Sequence, residues 1–126
     1  MSVNVFEIWP PAACLSTQMY FSELRESQGI LSIFLKFSDK PDSTLKIDFK
    51  GFLGYKVFQE GSRLKFLGEH QFFGLINVSV SSIFLEWFLQ ESEGLFYDWN
   101  LKHFMVCNAD SIIDVITVKP PDISWV

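Results

Sequence analysis

Two histidines, His70 and His103, and two cysteines, Cys14 and Cys107, are the side chains best suited to bind a metal or to act as nucleophile and base. Their spacing supports neither use. There is no Cys-x-x-Cys, and His70 and His103 are distant in sequence from each other and from Cys14. His103 and Cys107 share a face of a strand, but four residues of strand span roughly 13 Å, too far to share a zinc ion or pass a proton. His103 has a better partner in Asp114. A hairpin turning on Asn108 and Ala109 sets Cys107 opposite Asp110 and His103 opposite Asp114, where the carboxylate can fix the imidazole tautomer. A three-residue turn removes that pairing. The pair is expected to close a sheet face, because a catalytic dyad also needs a nucleophile and a pocket that the sequence does not place. No catalytic residue, metal or cofactor is therefore expected.

Other chemistry leaves even less trace. No phosphate loop, nucleophile elbow or dinucleotide fingerprint is present. Lys50, Gly51 and Phe52 match the start of the RNA-recognition signature, but Leu53, Gly54 and Val57 then stand where a small residue and two aromatics belong. Ten basic against fifteen acidic residues give a net charge of -5, which argues against adhesion to nucleic acid or anionic lipid. The charge is uneven. Residues 36–65 hold seven basic and four acidic side chains, whereas residues 86–126 hold two basic and seven acidic. Two surface regions of opposite field follow if the fold keeps them apart.

The elements that must position these groups form one unit, residues 1–126, because 48% hydrophobic and 17% aromatic content is ample for a core and no linker divides the chain. No basic segment precedes an early apolar run, and no stretch is long and apolar enough to span a bilayer, so a cytoplasmic protein with reduced thiols is expected. Val3 to Trp9 reads as a short strand stopped by Pro10 and Pro11. Ser16 to Ser27 reads as a short helix, with Met19, Phe21 and Leu24 inward and Gly29 as its stop.

Leu31, Ile33, Leu35 and Phe37 alternate with polar residues, as a half-buried strand requires. After a turn at residues 39–43, Leu45, Ile47 and Phe49 alternate with Lys46, Asp48 and Lys50. The parity runs on through Leu53, Tyr55 and Val57, predicting one long strand bent at Gly51 or Gly54. Leu75 to Val80 reads as a strand with Ile76, Val78 and Val80 inward. Ser81 or Ser82 then caps a helix that lays Phe84, Trp87 and Phe88 on the sheet, shows Glu86, Gln90 and Glu93 to water, and ends at Gly94. Leu101 to Cys107 and Ser111 to Val118 read as a hairpin. The predicted class is α+β: a bent antiparallel sheet of about five to six strands on one main helix, Ser82 to Glu93.

Two surfaces remain as candidates for binding. Phe34, Phe52, Phe58, Phe66, Phe72 and Phe73 could line an apolar pocket on the concave side of the sheet, although a core needs such residues anyway. Glu91, Glu93, Asp98 and Asp110 border Phe96, Tyr97 and Trp99, so acids surround aromatic anchors as they would on a surface for a basic partner.

The strand "LKIDFKGFLGYKVF", the Ser-led helix "SSIFLEWFLQ" and the tail "KHFMVCNADSIIDVITVKPPDI" together resemble small bacterial proteins that include immunity proteins of toxin systems. The tail places His103 and Phe104 before a turn, and Asp114, Val115 and Ile116 before Pro120 and Pro121. The resemblance implies a protein that binds and blocks a partner; the charge split and the absence of a catalytic constellation make it a non-enzymatic one for a basic toxin, with Glu91, Glu93, Asp98, Trp99 and Asp110 of the acidic, aromatic surface as the expected contact residues. The alternative is a small-molecule binding domain with an aromatic-lined pocket. Oligomeric state and partner identity leave no mark in the sequence.

Overall fold

The computed structural model describes residues 4–40, 42–69 and 73–126. Among these, nine strands form two antiparallel sheets: β1 (Val5–Ile8), β2 (Tyr20–Ser27), β3 (Ile30–Lys36), β4 (Thr44–Lys50), β5 (Gly54–Gln59), β6 (Ile76–Ser81), β7 (Lys102–Cys107), β8 (Ser111–Thr117) and β9 (Asp122–Trp125). One sheet runs β1-β6-β7-β8-β5 and the other β2-β3-β4-β9. Two short helices, α1 (Leu64–Glu69) and α2 (Ile83–Glu91), complete the regular structure. The architecture is therefore a two-sheet sandwich, which overturns the expectation of a single sheet on one main helix.

The core shows why a helix is not needed there. Leu31, Ile33, Leu35, Leu45, Ile47 and Phe49 from the smaller sheet meet Ile76, Phe104, Val106, Ile113 and Val115 from the larger in one cluster. Phe49 and Phe104, both essentially inaccessible to water, touch across the interface with ring centroids 5.8 Å apart. Burying each such ring contributes about 1.5–3 kcal/mol.

Four element readings fail for identifiable reasons. Residues 20–27 form β2, not a helix: a bulge between Phe21 and Glu23 shifts the strand's parity. Phe21 and Leu24 consequently both reach the core at a spacing of three, which imitates a helix. Gly29 lies in the β2–β3 turn and terminates no helix. The supposed long strand is β4 and β5, one in each sheet, linked by a crossover at Gly51, whose φ of +70° takes the chain out of β4. On β6, Ile76 and Val78 face the sandwich core as expected, but Val80, near the strand's end, is 75% exposed, and Asn77 and Ser79 are buried as well. The expected main helix shrinks to α2, capped by Ser82, whose Oγ accepts Leu85 N–H at 3.1 Å. Its exit passes through Glu93 and Gly94, both at positive φ. Val3, Pro41, His70 and Phe72 lie outside the described residues.

The β7–β8 hairpin is present with a different register. Cys107 pairs with Ile112 and Met105 with Asp114, so the turn is Asn108 to Ser111, held by Ser111 N–H and Oγ–H donating to Asn108 Oδ1 at 2.9 and 3.0 Å. His103 faces Ile116, not Asp114.

Candidate functional site

Both faces of β7 and β8 are covered, because α1 and α2 lie on the side of the large sheet opposite the sandwich core. Phe66 and Leu67 of α1 pack on Met105, Cys107 and Ile112. Leu85 of α2 forms a second cluster with Leu101 and Ile116. Between these two apolar patches the sheet presents His103 and Asp114, which are 3% and 0% exposed. A buried carboxylate demands partners, and Asp114 has two. His103 Nε2 lies 2.6 Å from Asp114 Oδ1, and Arg63, from the 3-10 turn Glu60–Arg63, donates through one guanidinium nitrogen to Asp114 Oδ2 at 2.9 Å. Although they are not directly opposite, the diagonal of the ladder brings His103 and Asp114 within reach.

Burial alone would raise the Asp114 carboxyl, but the hydrogen bond and charge of His103 and the guanidinium of Arg63 outweigh it and hold the group below the usual carboxylate range. An ionised Asp114 can only accept, so the His103 proton sits on Nε2. His103 Nδ1 lies 2.7 Å from Ser82 Oγ, which also accepts from Leu85 N–H. Phe6 and Phe84 flank the imidazole edge-on, with centroids 4.9 and 5.3 Å away.

Ser82, His103 and Asp114 thus form a serine–histidine–aspartate chain that the sequence reading missed, because Ser82 reads there only as a helix cap. Its chemistry is nonetheless that of a closed network. Ser82 is buried, its oxygen caps α2, and two neighbouring amide donors already have acceptors: Ile83 N–H on Asn4 Oδ1 at 2.9 Å and Glu86 N–H on Ser82 O at 2.9 Å.

His103 also forms part of the wall of a cleft of about 610 Å³ between α1, α2 and β5. Phe66, Phe84 and Trp87 supply its apolar surface, and Lys56, Arg63 and Lys65 its charge. Each of two cations lies over a ring: Lys56 Nζ is 4.5 Å from the Phe84 centroid, and the Arg63 guanidinium carbon 4.6 Å from that of Phe66. Burial lowers the Lys56 ammonium, with Asp114 opposing that shift and Arg63 adding to it.

Among the described residues, Phe66 alone of the aromatics expected to line a pocket lines this one. Phe52 packs against the sandwich core, Phe34 lies under Arg25 and Lys46, Phe58 is exposed, and Phe73 stacks on Phe66 at 5.6 Å. Lys56 and Arg63 escape a sequence reading because only the β5 turn and the two helices bring them to Phe84. The basic excess over residues 36–65 was their one visible signal.

The acidic surface divides. Glu91, Glu93, Asp98 and Trp99 are exposed at the end of α2 and in the 3-10 turn Tyr97–Trp99. Asp110 is at the far end of β7, roughly 20 Å away by strand rise, where its Oδ1 accepts Phe21 N–H. Cys14 is exposed and Cys107 buried, and neither is bridged. Among the described residues no three His, Cys, Asp or Glu side chains converge as metal ligands, and no helix is long and apolar enough to cross a membrane. No protein-family model, curated protein or solved structure matches the chain.

Proposed function

We propose that this chain is a non-enzymatic binding domain whose cleft between α1 and α2 takes a small molecule with an apolar, planar body. The observation that carries this reading is the cleft itself, about 610 Å³ and walled by Phe66, Phe84 and Trp87. That volume falls among ligand sites of about 300–1,000 Å³. Binding is favoured over catalysis because the Ser82 side chain is buried and its oxygen is committed to the helix cap. Two unbridged thiols suit a reducing, cytoplasmic setting. The neutral fluorophore N-phenyl-1-naphthylamine tests the reading: its emission should rise saturably on titration into the protein and fail to do so with Trp87→Ala. Absence of saturable binding to the wild-type chain rejects it.

A second reading, an inhibitor of the immunity type for a basic protein, is favoured by one surface. Leu95, Tyr97 and Trp99 are 71%, 66% and 49% exposed among Glu91, Glu93 and Asp98, a set of apolar anchors inside an acidic rim. Asp110 is too distant to belong to it. A basic protein encoded beside this chain should bind it, and Trp99→Ala with Asp98→Lys should weaken that complex. Unchanged affinity in the double variant rejects this surface.

A further inference from the structure

Three of the chain's ten basic residues converge on one cleft of a protein whose net charge is -5. Among the described residues, no carboxylate lines that cleft. Asp114 lies behind the wall and is already matched by Arg63 and His103. Among the described residues, neither Lys56 nor Lys65 has an acidic partner within ion-pair distance. Arg63 engages Asp114 through one nitrogen, leaving further guanidinium donors, of the five that arginine carries, beside the cleft. Lys56 is the most telling of the three. Its ammonium is half-buried over Phe84, where water compensates it poorly, and an anion is the group that would restore what burial removes.

We infer that the ligand is an organic anion: a carboxylate, sulfonate or phosphate ester joined to a planar apolar group. The anionic end meets Lys56 and Lys65, with Arg63 at its side, and the planar group lies along Phe84 and Trp87. Phe84 and Trp87 are themselves stacked, with centroids 6.0 Å apart and planes 13° from parallel, so a planar group can extend the same stack. This inference rests on the cleft being a ligand site and adds the charge of what it takes.

Two probes of nearly the same shape separate the two claims. 8-Anilinonaphthalene-1-sulfonate carries the anion, and N-phenyl-1-naphthylamine lacks it. The sulfonate should bind at least about tenfold more tightly at low salt, and the advantage should shrink at about 0.5 M salt as screening sets in. Lys56→Met should abolish the advantage while sparing the neutral probe. Lys65→Gln, a change at an exposed position that leaves packing intact, should reduce it. Equal affinity for the two probes overturns the inference and leaves the cleft as a neutral site. A sulfonate preference that survives both substitutions also overturns it. Failure of both probes to bind removes the cleft reading and this inference with it.

Discussion

Asp114 lies diagonally across the β7–β8 ladder from His103, two residues along from the position opposite it, with Oδ1 2.6 Å from His103 Nε2. Direct opposition was not required. A diagonal cross-strand pair is about 7–8 Å apart at the backbone, a gap that an imidazole and a carboxylate together can close. The other carboxylate oxygen is thereby left to Arg63, so one buried charge organises β7, β8 and the turn leading into α1.

Asp114→Asn tests that organisation. Loss of one partner from a buried ionic group costs about 3–5 kcal/mol, because Arg63 remains with its charge uncompensated. The pH dependence has a definite sign. Since the folded-state carboxyl lies below its ordinary value, the stabilisation is present above the unfolded pKa of about 3.9 and is lost as pH falls through the lower folded value. Urea unfolding should therefore show a large deficit for the variant at pH 7 that narrows towards pH 3. A deficit independent of pH would show that shape, and not charge, makes Asp114 important.

Ser82→Ala removes two interactions at once: the cap on Leu85 N–H and the hydroxyl hydrogen-bonded to His103 Nδ1. A lost cap costs about 1 kcal/mol, and an unsatisfied buried ring nitrogen adds about 1–3 kcal/mol. Denaturation should show a loss of about 2–4 kcal/mol. If the closed network is correct, a fluorophosphonate incubated with the native protein should leave the mass of the chain unchanged. A covalent adduct on Ser82 would restore a hydrolase reading.

Local patterns were legible wherever a strand kept strict alternation. Leu45, Ile47 and Phe49 on β4 read correctly because half-buried strands repeat every two residues, and the two arms around Asn108, buried on both faces, read as strands though not in their register. Phe21 and Leu24 did not, since the bulge in β2 converts that period to three. The division into two sheets was hidden for a different reason: β4 and β5 keep one parity on either side of a crossover, and parity does not say which sheet a strand joins. At the site, Ser82 was visible as a cap and Asp114 as a partner for His103, yet Arg63 was not, because its 51-residue separation from Asp114 follows no local rule.

Cys107 should be chemically silent while Cys14 reacts. Burial, with contributions from Asp114 and Glu60 and opposition from Arg63, pushes the Cys107 thiol up to about 12, so little thiolate forms near neutrality. Iodoacetamide at pH 8 should add one carbamidomethyl group to the native chain, at Cys14, and two after denaturation. Peptide mass mapping identifies the positions. Rapid native labelling of Cys107 would mean that α1 does not seal the sheet as described.

The β2–β3 turn offers a test of the strand assignment that a helix would fail in the opposite direction. Ser27 pairs with Ile30 across Gln28 and Gly29, whose φ values are 53° and 77°. Two positive φ values define a type I′ turn, for which Asn-Gly is the preferred pair. Gln28 therefore holds a conformation that asparagine adopts more readily. Gln28→Asn should raise stability by about 0.5–1 kcal/mol, seen as a higher urea midpoint at unchanged slope, and Gly29→Ala should lower it by about 1 kcal/mol or more. Were residues 16–27 a helix ending at Gly29, asparagine near its end would bring no such gain through the preceding turns, and strand-specific amide protection across Tyr20–Ser27 would be missing. Hydrogen exchange decides between the two: the strand protects the amides of Arg25 and Ser27, which face Ser32 and Ile30, and leaves those of Leu24 and Glu26 open at the sheet edge, whereas a helix protects all four.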